Sequence, residues 1–353
     1  AGAYRLEFER YSFLESAGGT NSTVIRFAND GATGVNVALA NPVQYCEAET
    51  YRGLSLPRVT VAQFAQGQRV PLNSNRALGS YAFNITPTVA AAAESADLDA
   101  IVGDVGAVWA VAHHRRSNYM LLGSFFRRHA ELGPGRGAGT TNTGVIYVVD
   151  PGTSGTTANT AKVFADINQI AGSNIAGSNL RPNPVSGTYN FFHDPGTGGT
   201  TASAVDIFRS VGKIGLGGMD TSDDGNTLYV VNLGDRRLYQ LDTAVLNSRP
   251  SLATPTTPVL SSFKNPSVPI PNSVCANPVD ARPFAARFHD GYLYVGVTCT
   301  ADSTIPLLAA TATSGTTSRG DRTQLRGLVW RFNPSTQSFD DPPGLPANPV
   351  VNI

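Results

Sequence analysis

Cysteine, lysine and charge are all scarce in this 353-residue chain. There are three cysteines, Cys46, Cys275 and Cys299, and no CxxC spacing, so a thiolate zinc site is not expected. Charged residues make up 15%, against the usual quarter, and the formal net charge is +0. No field of that kind draws nucleic acid or an anionic membrane. Only Lys162, Lys213 and Lys264 among the 26 basic residues are lysines, a bias that fits genome composition better than function. No apolar run approaches the ~20 residues of a membrane-spanning helix. No basic-then-apolar leader opens the chain, and its first residues, Ala-Gly-Ala-Tyr, read as a mature end exposed by cleavage. The GxSxG elbow of serine hydrolases is missing. The run GPGRGAG at 133–139 is interrupted by proline and follows no strand–helix pattern, so it is no phosphate loop.

What is abundant is turn chemistry, with 36 glycines and 23 prolines. Residues 215–242 show its use most clearly. The period-two apolar runs here, TLYVVN and RLYQLD among them, are split by DDGN before the first and GDRR after it, which are hairpin signals. Two other places carry the same plan. One is 108–125 (VWAVAHHRRSNYMLLGSF) continued by GVIYVVD at 144–150. The other is 281–297 (ARPFAARFHDGYLYVGV) continued by GLVWRFNP at 327–334. Such units stacked around an axis predict an all-β β-propeller of six or seven blades. The expected organisation is one domain over 1–353. Residues 1–104 supply less regular blades or a leading sheet, 105–339 the recognisable blades, and 340–353 an extended tail. The tail is expected to close the ring on an N-terminal strand or to lead into a neighbour. An alanine-rich crossover at 82–104 could hold a short helix near 89–94. The proline-dense segment 255–283 must be loop or edge strand, because proline cannot donate to a sheet ladder.

Between the strand units lie long Gly/Ser/Thr-rich insertions at 128–143, 150–206 and 302–319. They cannot bury enough apolar area to form a core, and they are expected as surface loops on one rim. Together with the low charge, this is the texture of a secreted or cell-surface protein. In that setting a disulfide between Cys275 and Cys299 is expected, leaving Cys46 as a small buried hydrophobe.

The run Asp220-Thr-Ser-Asp-Asp-Gly-Asn-Thr-Leu-Tyr-Val-Val-Asn232 resembles the YVTN/NHL-type propeller units of secreted bacterial proteins. VWAVA from Val108, SFFRRHAELGPG from Ser124 and GVIYVVD from Gly144 are together similar to the propeller region of large bacterial surface proteins. In that family the region is often followed by SdrD-like or Cna-B-like immunoglobulin-type repeats, which this sequence lacks. The resemblance implies an extracellular setting and adhesion or matrix assembly, and it brings no catalytic residues.

Candidate sites are few. Asp220, Asp223 and Asp224, with Asn226, make an oxygen-rich run that could begin a calcium loop. No glutamate stands at the required distance, so a β-turn capped by its own aspartates is the simpler reading. His113, His114, His129, His193 and His289 are scattered, although His114 and His289 occupy comparable places in their units. Arg127, Arg128 and Arg136 read as a small solvated basic patch. Asn21-Ser22-Thr23 and Asn84-Ile85-Thr86 match the glycosylation sequon.

The function expected from these features is a non-enzymatic secreted or cell-surface module with a structural, adhesive or assembly role. Its partners would be other proteins or further copies, met through the insertions or the extended termini, with neither nucleic acid nor a membrane span involved. No cofactor is expected beyond a possible calcium ion. The first alternative is a calcium-dependent lactonase or gluconolactonase-like hydrolase using Asp104, Asp220 and Asp280. The second is an accessory subunit of a larger extracytoplasmic complex.

Overall fold

The computed structural model describes residues 3–8, 15–16, 25–37, 39–40, 58–69, 74–82, 97–135, 142–151, 161–181, 191, 207, 209–252, 260–305, 320–340 and 351–352. Cys46, His193, Arg136, both sequons, the helix expected near 89–94 and most of the insertions at 150–206 and 302–319 lie outside the described residues.

The chain divides into two compact units, Ala1–Pro57 and Arg58–Ile353. The first contains β1 (Ala3–Glu7), β2 (Glu15–Ser16), β3 (Ile25–Asn29) and β4 (Leu39–Ala40). They form two antiparallel pairs, β1 with β3 and β2 with β4.

The second unit opens with a three-stranded antiparallel sheet, β5 (Arg58–Ala62), β6 (Arg76–Ala82) and β7 (Asp97–Ile101), followed by the single turn α1 (Val102–Val105). Next come β8 (Val108–His114), β9 (Tyr119–Ser124), β10 (Val145–Val149) and β11 (Lys162–Asp166), paired in sequence order, then the short α2 (Ile167–Ala171). A third sheet runs β12 (Leu216–Thr221), β13 (Thr227–Asn232), β14 (Arg237–Asp242) and β15 (Phe263–Pro269). The last runs β16 (Ala281–His289), β17 (Tyr292–Cys299), β18 (Arg326–Asn333) and β19 (Ser338–Phe339), and β20 (Val351–Asn352) also pairs with β18.

The turns follow from their residues. Asp290 and Gly291, between β16 and β17, have φ of 48° and 80°, the two positive values a type I′ hairpin needs. Gly225, φ 71°, turns β12 into β13. Prolines fall where a missing N–H does least harm. Pro266 and Pro269 lie in β15, the outer strand of its sheet, and Pro283 lies at a register shift in the edge strand β16.

Period-two patterning places the central strands β9, β10, β13 and β14 between two cores. In β13, Leu228 and Val230 face one cluster with Leu121, Ile146, Phe164 and Leu241. Tyr229 and Val231 face another with Leu293, Val295, Trp330 and Phe332. In β9, Leu121 joins the first cluster, while Met120 and Leu122 join a third with Leu78, Val108 and Tyr147. Successive sheets therefore stack face to face, and each fully buried aliphatic side chain contributes about 1.5–3 kcal/mol. Close approach needs glycine at one place above all. A Cβ on Gly218 of β12 would stand 2.4 Å from the Ala286 nitrogen of β16.

The all-β class stands, but the expected β-propeller of six or seven blades does not. The described residues form six separate antiparallel sheets of two to five strands, and none closes on itself. The count failed for a physical reason. Alternation marks strands, but it does not say which sheet a strand joins. Lys162–Asp166, in the segment taken for insertion, and Phe263–Pro269, in the segment taken for connector, serve as fourth strands of existing sheets rather than starting new ones. The tail also differs from expectation: Val351 and Asn352 pair with Val329 and Leu328 of β18, not with an N-terminal strand.

Candidate binding surface

The first strands of the three larger sheets lie side by side, β8 against β12 and β12 against β16. Alternation in β8 buries Val108, Ala110 and Ala112 and turns Trp109 outward, 52% exposed. Beyond β12, whose Gly217 and Gly218 let β16 come close, Phe284 of β16 reaches Trp109 with ring centroids 5.7 Å apart. Phe125, just past β9, completes a triangle, 5.9 Å from Trp109 and 5.8 Å from Phe284. Two of the three contacts are edge-to-face, the geometry the ring quadrupole favours. The cluster is thus held by its own members and open at Trp109.

Beneath it lies Arg127, only 6% exposed. Of the basic patch expected at Arg127, Arg128 and Arg136, Arg127 is therefore not solvated. The guanidinium carbon lies 4.5 Å from the Phe64 ring centroid and 5.9 Å from that of Phe125. Phe64 is itself 65% exposed. Nη2 donates to the Val108 carbonyl, while Nε is buried with no hydrogen-bond partner. Burial pushes the Arg127 pKa down to about 10, with no carboxylate to pull it back. Among the described residues no acid pairs with it. Cation–π contact and one carbonyl offset part of the desolvation cost, at about 2 and 1.5–3 kcal/mol. An unpaired buried charge still loses several kcal/mol. Sequence reasoning marks Arg127 only as part of a solvated basic patch and reads Trp109 and Phe125 as ordinary strand residues, so nothing in the sequence joins the three into a site.

Of the three aspartates singled out in the sequence, Asp224 closes the turn in which it lies. Asp224 accepts hydrogen bonds from Ser222 Oγ (2.6 Å), Asn226 N (2.9 Å) and Asn226 Nδ2 (2.8 Å). Burial alone would raise its pKa, but these bonds outweigh it and hold the carboxyl below its ordinary value. Asp220 accepts from the Thr221 and Phe288 amides, both at 2.9 Å, and pairs with the exposed Arg287 at 3.3 Å. Burial raises its pKa against those partners. Asp223 stands in the same turn, and among the described residues no three His, Cys, Asp or Glu side chains converge as a metal site. Asp280 is buried and bound to the amide (2.8 Å) and hydroxyl (2.6 Å) of Ser303, and Asp104 sits in α1. The set imagined for a calcium hydrolase is not assembled among these residues.

His114 is fully buried. Its Nδ1 shares a hydrogen bond with Ser117 Oγ (2.7 Å) and its Nε2 meets the Gly225 carbonyl (2.8 Å). His289 is exposed and lies 3.3 Å from Asp290. The two are occupied separately. Cys275 and Cys299 are joined by a disulfide with Cα atoms 5.4 Å apart, and both are buried.

No family model matches the chain, and no curated protein matches it either. Among solved structures, a luciferin-regenerating enzyme aligns over 87% of this chain and 70% of its own, at 13% identity and a TM-score of 0.29. A likeness at that level carries neither fold nor function across.

Proposed function

We propose that this chain is a non-catalytic, extracellular binding module that assembles with protein partners through the aromatic surface around Trp109. The observation that carries this reading is the half-exposed Trp109, held by Phe125 and Phe284 beside exposed Phe64. A connected aromatic patch with one open side is a common mark of an interaction surface. The edge strand β5 adds to it, exposing Val59 and Val61 on one face. The buried Cys275–Cys299 disulfide supports an oxidising compartment, the setting the surface-protein resemblance also implies. Calcium has no role in this reading.

Light scattering on the chromatographed protein tests it. Expected is an assembly heavier than the 37.1 kDa chain, dissociated by the double substitution Phe64→Ser and Trp109→Ser with the circular dichroism unchanged. An assembly that survives the double substitution would refute the reading, as would a monomer at every concentration.

A further inference from the structure

Resting on that reading, we propose that the aromatic surface anchors its partner through a carboxylate that docks on Arg127, with an apolar group beside the carboxylate lying on Trp109 and Phe284. The occupant is an acidic side chain flanked by an apolar or aromatic residue on a protein partner.

Charge complementarity makes the case. Arg127 is 6% exposed and has a single backbone acceptor, the Val108 carbonyl, for its five N–H bonds. Its Nε is enclosed and unpartnered. Nη1 is the one nitrogen of the three neither bonded to the protein nor closed off from solvent. Buried arginines in folded proteins are normally matched by an acid, because leaving one unmatched loses several kcal/mol. Here two phenylalanine faces stand where that acid would be, at 4.5 and 5.9 Å. The rings orient the guanidinium and strip it of water without neutralising it. A carboxylate arriving from outside would then meet a cation already desolvated and fixed, which is where a charge-assisted bond is strongest. The open Trp109 ring lies within 5.9 Å of Phe125, which itself contacts the guanidinium, so the apolar part of the ligand has an adjacent platform.

The test uses two dipeptide probes that differ only in charge, acetyl-Phe-Glu-amide and acetyl-Phe-Gln-amide, titrated into the whole protein. Tryptophan emission is the readout. The chain has two tryptophans and Trp330 is 1% exposed, so the quenchable signal belongs to Trp109. The expected result is that the Glu probe binds at least roughly tenfold more tightly than the Gln probe. Raising salt should narrow that gap. Arg127→Met should abolish the difference while keeping a melting temperature at or above that of the unsubstituted protein, since it removes an uncompensated charge. Equal binding of the two probes, or binding of neither, overturns the proposal without touching the assembly reading, which light scattering tests by itself. An Arg127→Met protein that melts well below the parent and still discriminates the probes would show Arg127 to be a structural bond to Val108 only.

Discussion

Trp109, Arg127 and His114 show how far single residues carry the account. All three lie on or just after the first hairpin of the second sheet, and each environment is set by one backbone fact. Trp109 is the outward member of an alternating strand. Arg127 follows the bridge by which Phe125 meets Gly215. His114 ends β8 over the turn at Gly225. His114 makes a clear pH prediction. Burial lowers its pKa, and that of neighbouring His113, below the ordinary 6.5. The folded protein therefore holds both rings neutral while the unfolded chain takes up protons below about pH 6.5. Stability contributed by the neutral rings is complete above that pH and falls as acid carries the solution below it, toward the lower folded values. Nearby Arg115 and Arg116 act in the same direction, whereas Asp220 opposes the shift of His113. We expect His114→Gln to flatten the drop in melting temperature between pH 7.5 and 5.5. That window lies above the ordinary carboxylate range, so an unchanged slope would remove His114 from the explanation.

At the level of elements, the strands themselves were largely legible, and their grouping was not. TLYVVN and RLYQLD read as strands because alternate residues face alternate cores, and β13 and β14 occupy those positions. The Asp/Gly turns were also readable, since Asp224 binds Ser222 and Asn226 within its own turn. The fourth strands β11 and β15 escaped, because KVFAD sits among Gly and Thr and FKNPSVP contains two prolines. The aromatic site escaped for a different reason. Trp109, Phe125 and Phe284 are far apart in sequence and meet only when β8 and β16 flank the glycine pair of β12. The disulfide belongs to this scale too, tying the segment before β16 to the end of β17. With its cysteines 24 residues apart, its loss should cost about 3 kcal/mol by loop-closure entropy. Urea unfolding of Cys275→Ser/Cys299→Ser against the parent measures it. An unchanged midpoint would mean that the surrounding sheet, not the bond, fixes this corner.

At the scale of the whole molecule, the described residues form six separate antiparallel sheets in place of the ring that the strand units suggest. The second unit builds its stability from sheets stacked face to face, with β9, β10, β13 and β14 buried on both sides. That architecture leaves the first strands β8 and β16, with Phe125 just past β9 and Phe64 just past β5, to carry the open aromatic surface. The extracellular assembly role rests in the sequence on the strand repeats, the low charge, the Gly/Thr-rich segments and the surface-protein resemblance. The expected contact points were the insertions and termini, whereas the proposed one lies on β8 and β16.

The most direct test of the central claim is acrylamide quenching of tryptophan emission across a range of protein concentrations, paired with mass at each concentration. Trp330 is enclosed, so quenching follows Trp109. The account predicts that the quenchable fraction falls as the mass rises, because assembly covers Trp109. An assembly in which Trp109 stays as quenchable as in the monomer would contradict it.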